Sequence, residues 1–370
     1  MKKIIAAGHI CLDITPIIPE ENRGKRADEY FEPGTLLHVG KADIHTGGSV
    51  ANTGLALKLL GEDVVLMGKV GQDAFGAILE EQLAAYGVGG LLKDPESDTS
   101  YSIVLAPPGV DRIFLHNPGA NDSFCSADIP DEALEDAILF HFGYPPLMKH
   151  MYSNGGAELA ALFQRVRRKG IATSLDLAGV DPQSDAGRAD WQAILGKVLP
   201  HTDFFLPSFE ELCFMLDRER YRRLKSLGGE MTDVLDLKRD AGPLAAKALE
   251  MGCRVVLIKC GTKGILFRTA DSSAMDCLGS RLSVDRALWA DREGIQPCFR
   301  VETVRSATGA GDAAIAGFLS AMVNGYGPEE CAAFAAAEGA CSVTGYDALS
   351  GLLPLSELKE RIQAGWQLQK

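Results

Sequence analysis

The sequence predicts an α/β protein, with a mostly parallel sheet covered by helices on both faces and a small separate β element. Three observations predict it. Short apolar strands alternate with amphipathic helices along most of the chain, which is the pattern of β-α-β units. The alternation breaks at residues 98–116, where two β-rich segments flank the turn-forming "PPGVD" and read as an antiparallel hairpin. A chain of 370 residues, 46% hydrophobic and 24% charged, can also bury a large core without wholesale disorder.

The elements follow in order. "KKIIAAGHICLDI" reads as a first buried strand running to a functional end at Gly8 to Asp13. Residues 16–46 are rich in Pro, Gly and charge, with short β-like pieces. "TGGSVANTGLALKLLG" is a helix opened by a glycine pair and closed by Gly61. "DVVLMGKVG" is a strand, and "DAFGAILEEQLAAYG" a helix capped by Asp73 and stopped by Gly87. After the hairpin, "AILFHFG" and "IATSLDLAG" are strands with the helix "GAELAALFQRVRRKG" between them. "TDFFLPS", "CRVVLIKCG" and "KGILFRT" are further strands, and "FEELCFML" begins a helix. Residues 217–240 are highly charged and predict an exposed helical excursion. Residues 270–297 lack periodicity and predict an irregular insertion. The main domain is therefore drawn over 1–15, 47–97 and 119–370, and the β element over 16–46 and 98–118.

Composition narrows the function. A formal charge of −13 repels phosphate backbones and anionic lipid, so neither nucleic acid nor membrane is an expected partner. The nine cysteines show no CxxC pair and no zinc spacing, as expected of buried free thiols in a reducing compartment. No stretch approaches the ~18–20 apolar residues of a membrane span. The N-terminal apolar run carries Gly8, His9 and Asp13 and lacks a cleavage site, unlike a signal peptide. A cytoplasmic protein is expected.

The segment "SATGAGDAAIAGF", residues 306–318, sets glycines and a carboxylate before a small apolar run. A glycine turn entering a helix leaves backbone N–H groups pointing one way, which stabilises negative charge. Gly309 and Gly311 let that backbone approach an anion closely. Asp312 at such a start is either a helix cap or a general base beside an anion hole. The helix that follows is apolar on nearly all faces, as a buried support should be.

"TGAGD" followed by "AAIAGF" resembles the second signature of the ribokinase-like (PfkB) carbohydrate kinases. "TGGSVANTGLALKLLG" with "VGQDAFG" resembles the first. The resemblance covers roughly residues 3–350 in the right order, which is more specific than a lone glycine motif. It implies a three-layer α/β/α domain with a β-sheet lid that closes over a sugar. It also implies a phosphotransferase using ATP and Mg2+.

Site residues follow from the same resemblance. Asp312 is the implied catalytic base, with Gly309, Ala310 and Gly311 as the anion hole. Asp13 is the implied reader of sugar hydroxyls, with Gly47, Gly48 and Asn52 beside it; helix-start packing is the other reading of Asn52. Tyr101, Arg112, Phe114 and His116 are candidate lid contacts, Arg112 chief among them for substrate, and plain β-surface otherwise. "LPSFEEL" resembles the family's N-x-x-E motif, with Glu211 acting through Mg2+ and Ser208 replacing the asparagine. "KCGTKG" resembles the phosphate-proximal loop and implicates Gly261, Thr262 and Gly264, with Lys263 either near phosphate or solvated. A monovalent-cation site beside Ser306 and Thr308 is in doubt, because Ser306 replaces an aspartate; K+ is left open.

The expected function is ATP-dependent phosphorylation of a hydroxyl, a primary one by family habit, on a monosaccharide or sugar acid. A nucleoside kinase of the same fold, or a non-catalytic sensor on this scaffold, are the alternatives. A homodimer through the lid is a further expectation.

Overall fold

The computed structural model describes residues 2–22, 27–30, 33–34, 36–108, 113–229 and 231–369. Its main sheet has eight strands in the order Glu293–Gln296, Ile265–Thr269, Val255–Lys259, Phe204–Phe205, Ala172–Leu175, Ala137–Gly143, Lys3–Gly8 and Asp63–Met67. Ile265–Thr269 pairs antiparallel with both of its neighbours, and all the other pairings are parallel. Strand periodicity divides the core between the two faces. Ile4 and Ala6 point to one side and Ile5 and Ala7 to the other. On the first face lie the helices Ser49–Leu59, Ala310–Val323 and Pro328–Ser342; on the second, Lys149–Arg168, Trp191–Val198, Phe209–Leu216 and Gly242–Glu250. That makes three layers.

A second sheet of four strands stands apart, in the order Ala42–Gly47, Cys11–Pro16, Tyr101–Leu105 and Ile113–Asn117. The hairpin read from residues 98–116 supplies its last two strands, paired antiparallel. The N-terminal segment is a correction. "KKIIAAGHICLDI" is two strands, broken at Gly8, whose φ of 125° and contact with the Gly143 carbonyl leave no room for a side chain. The second strand, Cys11–Pro16, belongs to the small sheet, so Asp13 stands there and not at the end of the main-sheet strand.

Residues 270–297 are also more ordered than their composition suggested. They hold two short helices, Ser272–Met275 and Arg286–Trp289, and the edge strand Glu293–Gln296. The charged stretch after 217 forms the helix Arg218–Lys225, of which only Leu224 is buried, and its continuation buries Met231 and Leu235. All nine cysteines are free. Among the described residues no helix is long and apolar enough to cross a membrane.

The helices Ala310–Val323 and Pro328–Ser342 pack closely, because a side chain at Gly317 would strike Phe334 and Glu338. Glu338 is fully buried there, and neither carboxylate oxygen has a hydrogen-bond partner. Burial pushes its carboxyl up to about 8, an effect that the nearby Leu353 amide offsets only in part. A raised folded-state pKa means the fold favours the neutral acid. Stability from this group is full below the unfolded carboxyl range and is lost as pH climbs toward 8. Glu338→Met should therefore melt higher than the parent at pH 8, by roughly 3 kcal/mol of stability, with the gap closing near pH 4.5. Equal or lower melting at pH 8 would contradict this.

Candidate active site

The site is built where the two sheets meet. The chain passes from the small sheet into the helix Ser49–Leu59 through Gly47 and Gly48. A Cβ on Gly47 would sit 2.3 Å from Asp13 Oδ2, and one on Gly48, whose φ is 83°, 2.6 Å from His9 Nδ1. The glycine pair is thus what lets Asp13 and His9 come so near the backbone. Burial pushes the Asp13 carboxyl up, opposed by hydrogen bonds from Cys11 and Ser102. His9 Nε2 lies 3.4 Å from His116 Nε2, and His116 Nδ1 lies 3.0 Å from Ser102 Oγ. Burial, then the neighbouring His116, brings His9 down to about 3, so this imidazole is neutral at physiological pH. His9 Nδ1 is buried without a partner. Asp13, His9 and His116 make a cluster of groups able to bind hydroxyls.

Asp312 stands between this cluster, where its charge acts on Asp13, and a cavity that it lines. It is the third residue of the helix Ala310–Val323, whose N-cap Gly309 is left-handed and abuts Ala348 too closely for a side chain. The carboxylate is buried and accepts from three donors. Asn52 Nδ2 and Thr53 Oγ1 each donate at 3.1 Å, and the Tyr144 hydroxyl at 2.7 Å. Tyr144 itself is left-handed, with φ 64°, just past the strand Ala137–Gly143. Such a backbone costs about 1–3 kcal/mol and persists where surrounding structure holds it. Burial and the Asp312 charge raise the Tyr144 phenol well above its ordinary value, so it remains a donor.

On the far side of Asp312, Lys259 ends the strand Val255–Lys259 and puts its Nζ 2.8 Å from Asp176 Oδ1. Gly311 faces the same ammonium, since a Cβ there would lie 3.7 Å from Nζ. Burial alone would lower Lys259, but Asp176, Glu211 and Asp312 together hold it above its ordinary value and charged. Burial, with Glu211 and Asp312 beside it, pushes Asp176 above the usual carboxylate range against the pull of Lys259. A cation and first-turn N–H groups therefore converge beside Asp312, as a transferring phosphoryl group requires.

The cavity beyond has a volume of about 490 Å3. Ser208 and Glu211 stand in its wall as a reciprocal cap of the helix Phe209–Leu216. Ser208 N–H donates to Glu211 Oε2 at 2.8 Å, and Glu211 N–H to Ser208 Oγ at 3.3 Å. Gly261, Thr262 and Gly264 form another edge. Its remaining lining is mostly apolar and includes Phe299, Val301, Ala336 and Ala340. A cavity of this volume and lining suits a planar base with its phosphates at the glycine turn.

A sequence profile of the pfkB family of carbohydrate kinases matches residues 1–354. The chain belongs to the PfkB family of carbohydrate kinases. An uncharacterized sugar kinase of Archaeoglobus fulgidus is 26% identical over 80% of this chain and 98% of its own. A nucleoside kinase of Methanocaldococcus jannaschii is 23% identical over 98% and 97%. The structure of Arabidopsis thaliana ribokinase complexed with ribose and ATP superposes with a TM-score of 0.71, at 19% identity, covering 97% of this chain and 98% of that one. The fold is therefore ribokinase-like, and this PfkB protein is a phosphotransferase, an ATP-dependent sugar or nucleoside kinase.

The residues singled out in the sequence divide into those the fold brings together and those it does not. Asp13, Gly47, Gly48, Asn52 and Asp312 meet at one place. Gly309, Ala310, Gly311, Ser208, Glu211, Gly261, Thr262 and Gly264 all line the adjoining cavity. Ala310 N–H also makes a long 3.4 Å contact to Ala307 O. Asn52 touches Asp312 directly. Of the lid candidates, His116 reaches His9, Tyr101 packs edge-on against Phe75, and Phe114 is 55% exposed. Arg112 lies outside the described residues. Lys263 is exposed and away from the cavity wall; Lys259, four residues earlier in the same motif, is the lysine in the site. Sequence reasoning also missed His9, Thr53, Tyr144 and Asp176. The available signal for Asp176 and Lys259 was a charged residue ending an apolar strand, in "SLD" and "VVLIK".

The cation sites differ. Among the described residues no three His, Cys, Asp or Glu side chains form a metal cage. Mg2+ needs none, being held by one or two carboxylates with substrate phosphates, and Glu211 and Asp312 on the cavity wall fit that habit. The glycine turn lacks the carboxylate that the family resemblance associates with a monovalent-cation site. Ser306 offers no carboxylate, and its Oγ accepts from Thr308 N–H at 3.1 Å. The Val343 carbonyl accepts from the amides of Arg305 and Ser306.

Proposed function

We propose that this kinase transfers the γ-phosphoryl group of ATP to a hydroxyl, a primary one by preference, of a monosaccharide or sugar acid. The reading rests on the position of Asp312, whose carboxylate faces the Asp13 pocket on one side and the Lys259 and glycine-turn amides on the other. Asp13 and the neutral His9–His116 pair bind acceptor hydroxyls. Asp312, held in place by Asn52, Thr53 and Tyr144, takes the proton of the attacking hydroxyl. Lys259 and the Gly309–Gly311 backbone hold the negative charge of the transferring group. Mg2+ would neutralise the phosphates when bound, with Glu211 and Asp312 as its protein neighbours.

Measuring ADP release with Mg·ATP across pentoses, ketohexoses, sugar acids and nucleosides tests the assignment. A sugar or sugar acid should give turnover that needs Asp312. Turnover with nucleosides alone would replace this reading with a nucleoside kinase, the activity named for the Methanocaldococcus jannaschii relative. K+ should leave the rate unchanged, given the engaged groups around Ser306. The proposal includes a homodimer through the small sheet, where Phe114 and Leu115 are 55% and 49% exposed. Sedimentation should show two copies, and Leu115→Glu should return the protein to one; a wild-type monomer at micromolar concentration would remove the dimer.

A further inference from the structure

We propose that a second cleft, beside the nucleotide cavity, binds a phosphorylated small molecule. The cleft holds about 800 Å3 and is lined by Arg300, Glu302, Arg305, Thr344, Arg361 and Trp366 among others. Three guanidinium groups in one place run against a chain whose formal charge is −13, and Glu302 is the single carboxylate on the wall. Among the described residues none of the three arginines makes an ion pair. Two are instead laid on aromatic rings. Arg361 Cζ lies 3.6 Å from the Trp366 ring centroid, and Arg305 Cζ lies 4.8 Å from that of Tyr346.

That arrangement is already organised for an anion. Trp366 stacks on Phe299 at 4.7 Å and donates from Nε1 to the Arg300 carbonyl at 2.8 Å, which fixes the platform. A guanidinium lying on a ring keeps its edge N–H groups available, and those bind phosphate oxygens in pairs. For Arg305 and Arg361 the ring contact leaves less side-chain freedom to lose on binding. The cleft volume falls within the usual range for small ligands. A single phosphate fills a fraction of it, so the fitting ligand carries a phosphate and a further body, such as a phosphorylated sugar.

The cleft also reaches the nucleotide cavity. Val301 lines both, and Phe299, the partner of Trp366, lies in the nucleotide wall. Arg305 directly precedes the turn at 306–311, and its amide donates to the Val343 carbonyl at 2.8 Å, another residue of that wall. An anion held by Arg300 and Arg305 would tie these two walls together and strengthen nucleotide binding.

Inorganic pyrophosphate is a suitable probe. The full-length protein is first saturated, without Mg2+, with a non-hydrolysable ATP analogue, so that the active-site amides are occupied. Pyrophosphate is then titrated while tryptophan fluorescence is followed. Of the three tryptophans only Trp366 lines the cleft, and Trp191 and Trp289 are buried in the core. A saturable change is expected, absent in Trp366→Phe and weakened about tenfold or more in Arg300→Glu and in Arg305→Glu. Both arginines are exposed, so each variant should melt as the parent does, and two variants guard against a local folding effect. No saturable change in the parent, or equal affinity in both arginine variants, would overturn the proposal.

Discussion

Asp312→Asn is expected to lower kcat by about 10³-fold, inside the usual range for a positioned general base. The replacement keeps the shape that Asn52, Thr53 and Tyr144 hold, at 2.7–3.1 Å. It removes the proton acceptor and turns one oxygen into an amide that faces donors. ATP affinity should stay unchanged or tighten, because a carboxylate beside the triphosphate position repels it. Steady-state ADP release and equilibrium nucleotide binding, measured on the same preparation, separate the two effects. A variant retaining more than a tenth of the parent kcat would show that the proton goes elsewhere.

Lys259→Met carries the second large effect, in two separable parts. Losing the ammonium beside Gly311 should reduce kcat/KM roughly 10²–10³-fold, the order seen when one preorganised charge-stabilising group is removed. It also strands Asp176, which is nearly fully buried and holds Lys259 at 2.8 Å. Breaking one side of a buried pair typically costs about 3–5 kcal/mol, so the single variant should melt well below the parent. Adding Asp176→Asn should restore most of the melting temperature, since removing both charges leaves nothing uncompensated. Activity should stay low in the double variant. Recovery of activity along with stability would mean that Lys259 only holds the fold together.

The difference between Asp312 and Lys259 also shows what a single sequence makes legible. Asp312 was singled out in the sequence because the features around it are local: the glycines that bare the amides, the carboxylate and the supporting helix lie within one short segment. The same holds for Gly47 and Gly48, and for the hairpin that builds half of the small sheet. The Asp176–Lys259 pair spans 83 residues and exists because the strands Ala172–Leu175 and Val255–Lys259 flank Phe204–Phe205 in parallel order. Strand order is a property of the whole sheet, and no local pattern states it. Tyr144 was hidden for a different reason, since nothing in "FGYPP" signals a left-handed tyrosine. The N-terminal strand was misread because its apolar pattern continues smoothly across a break that only the Gly143 carbonyl enforces.

The two halves of the site draw on different parts of the chain. Apart from Asp312 and Tyr144, which also line the cavity, the groups proposed to bind the acceptor come from residues 9–116, whereas the rest of the cavity proposed for the nucleotide is walled by residues 176–369. Such a division makes the protein separable in the manner of a tool with an exchangeable head. Libraries aimed at a new acceptor can be confined to the first third of the gene, and chimeras joined after Asn117, where the small sheet ends, would keep that sheet whole and inherit the donor side from the other parent.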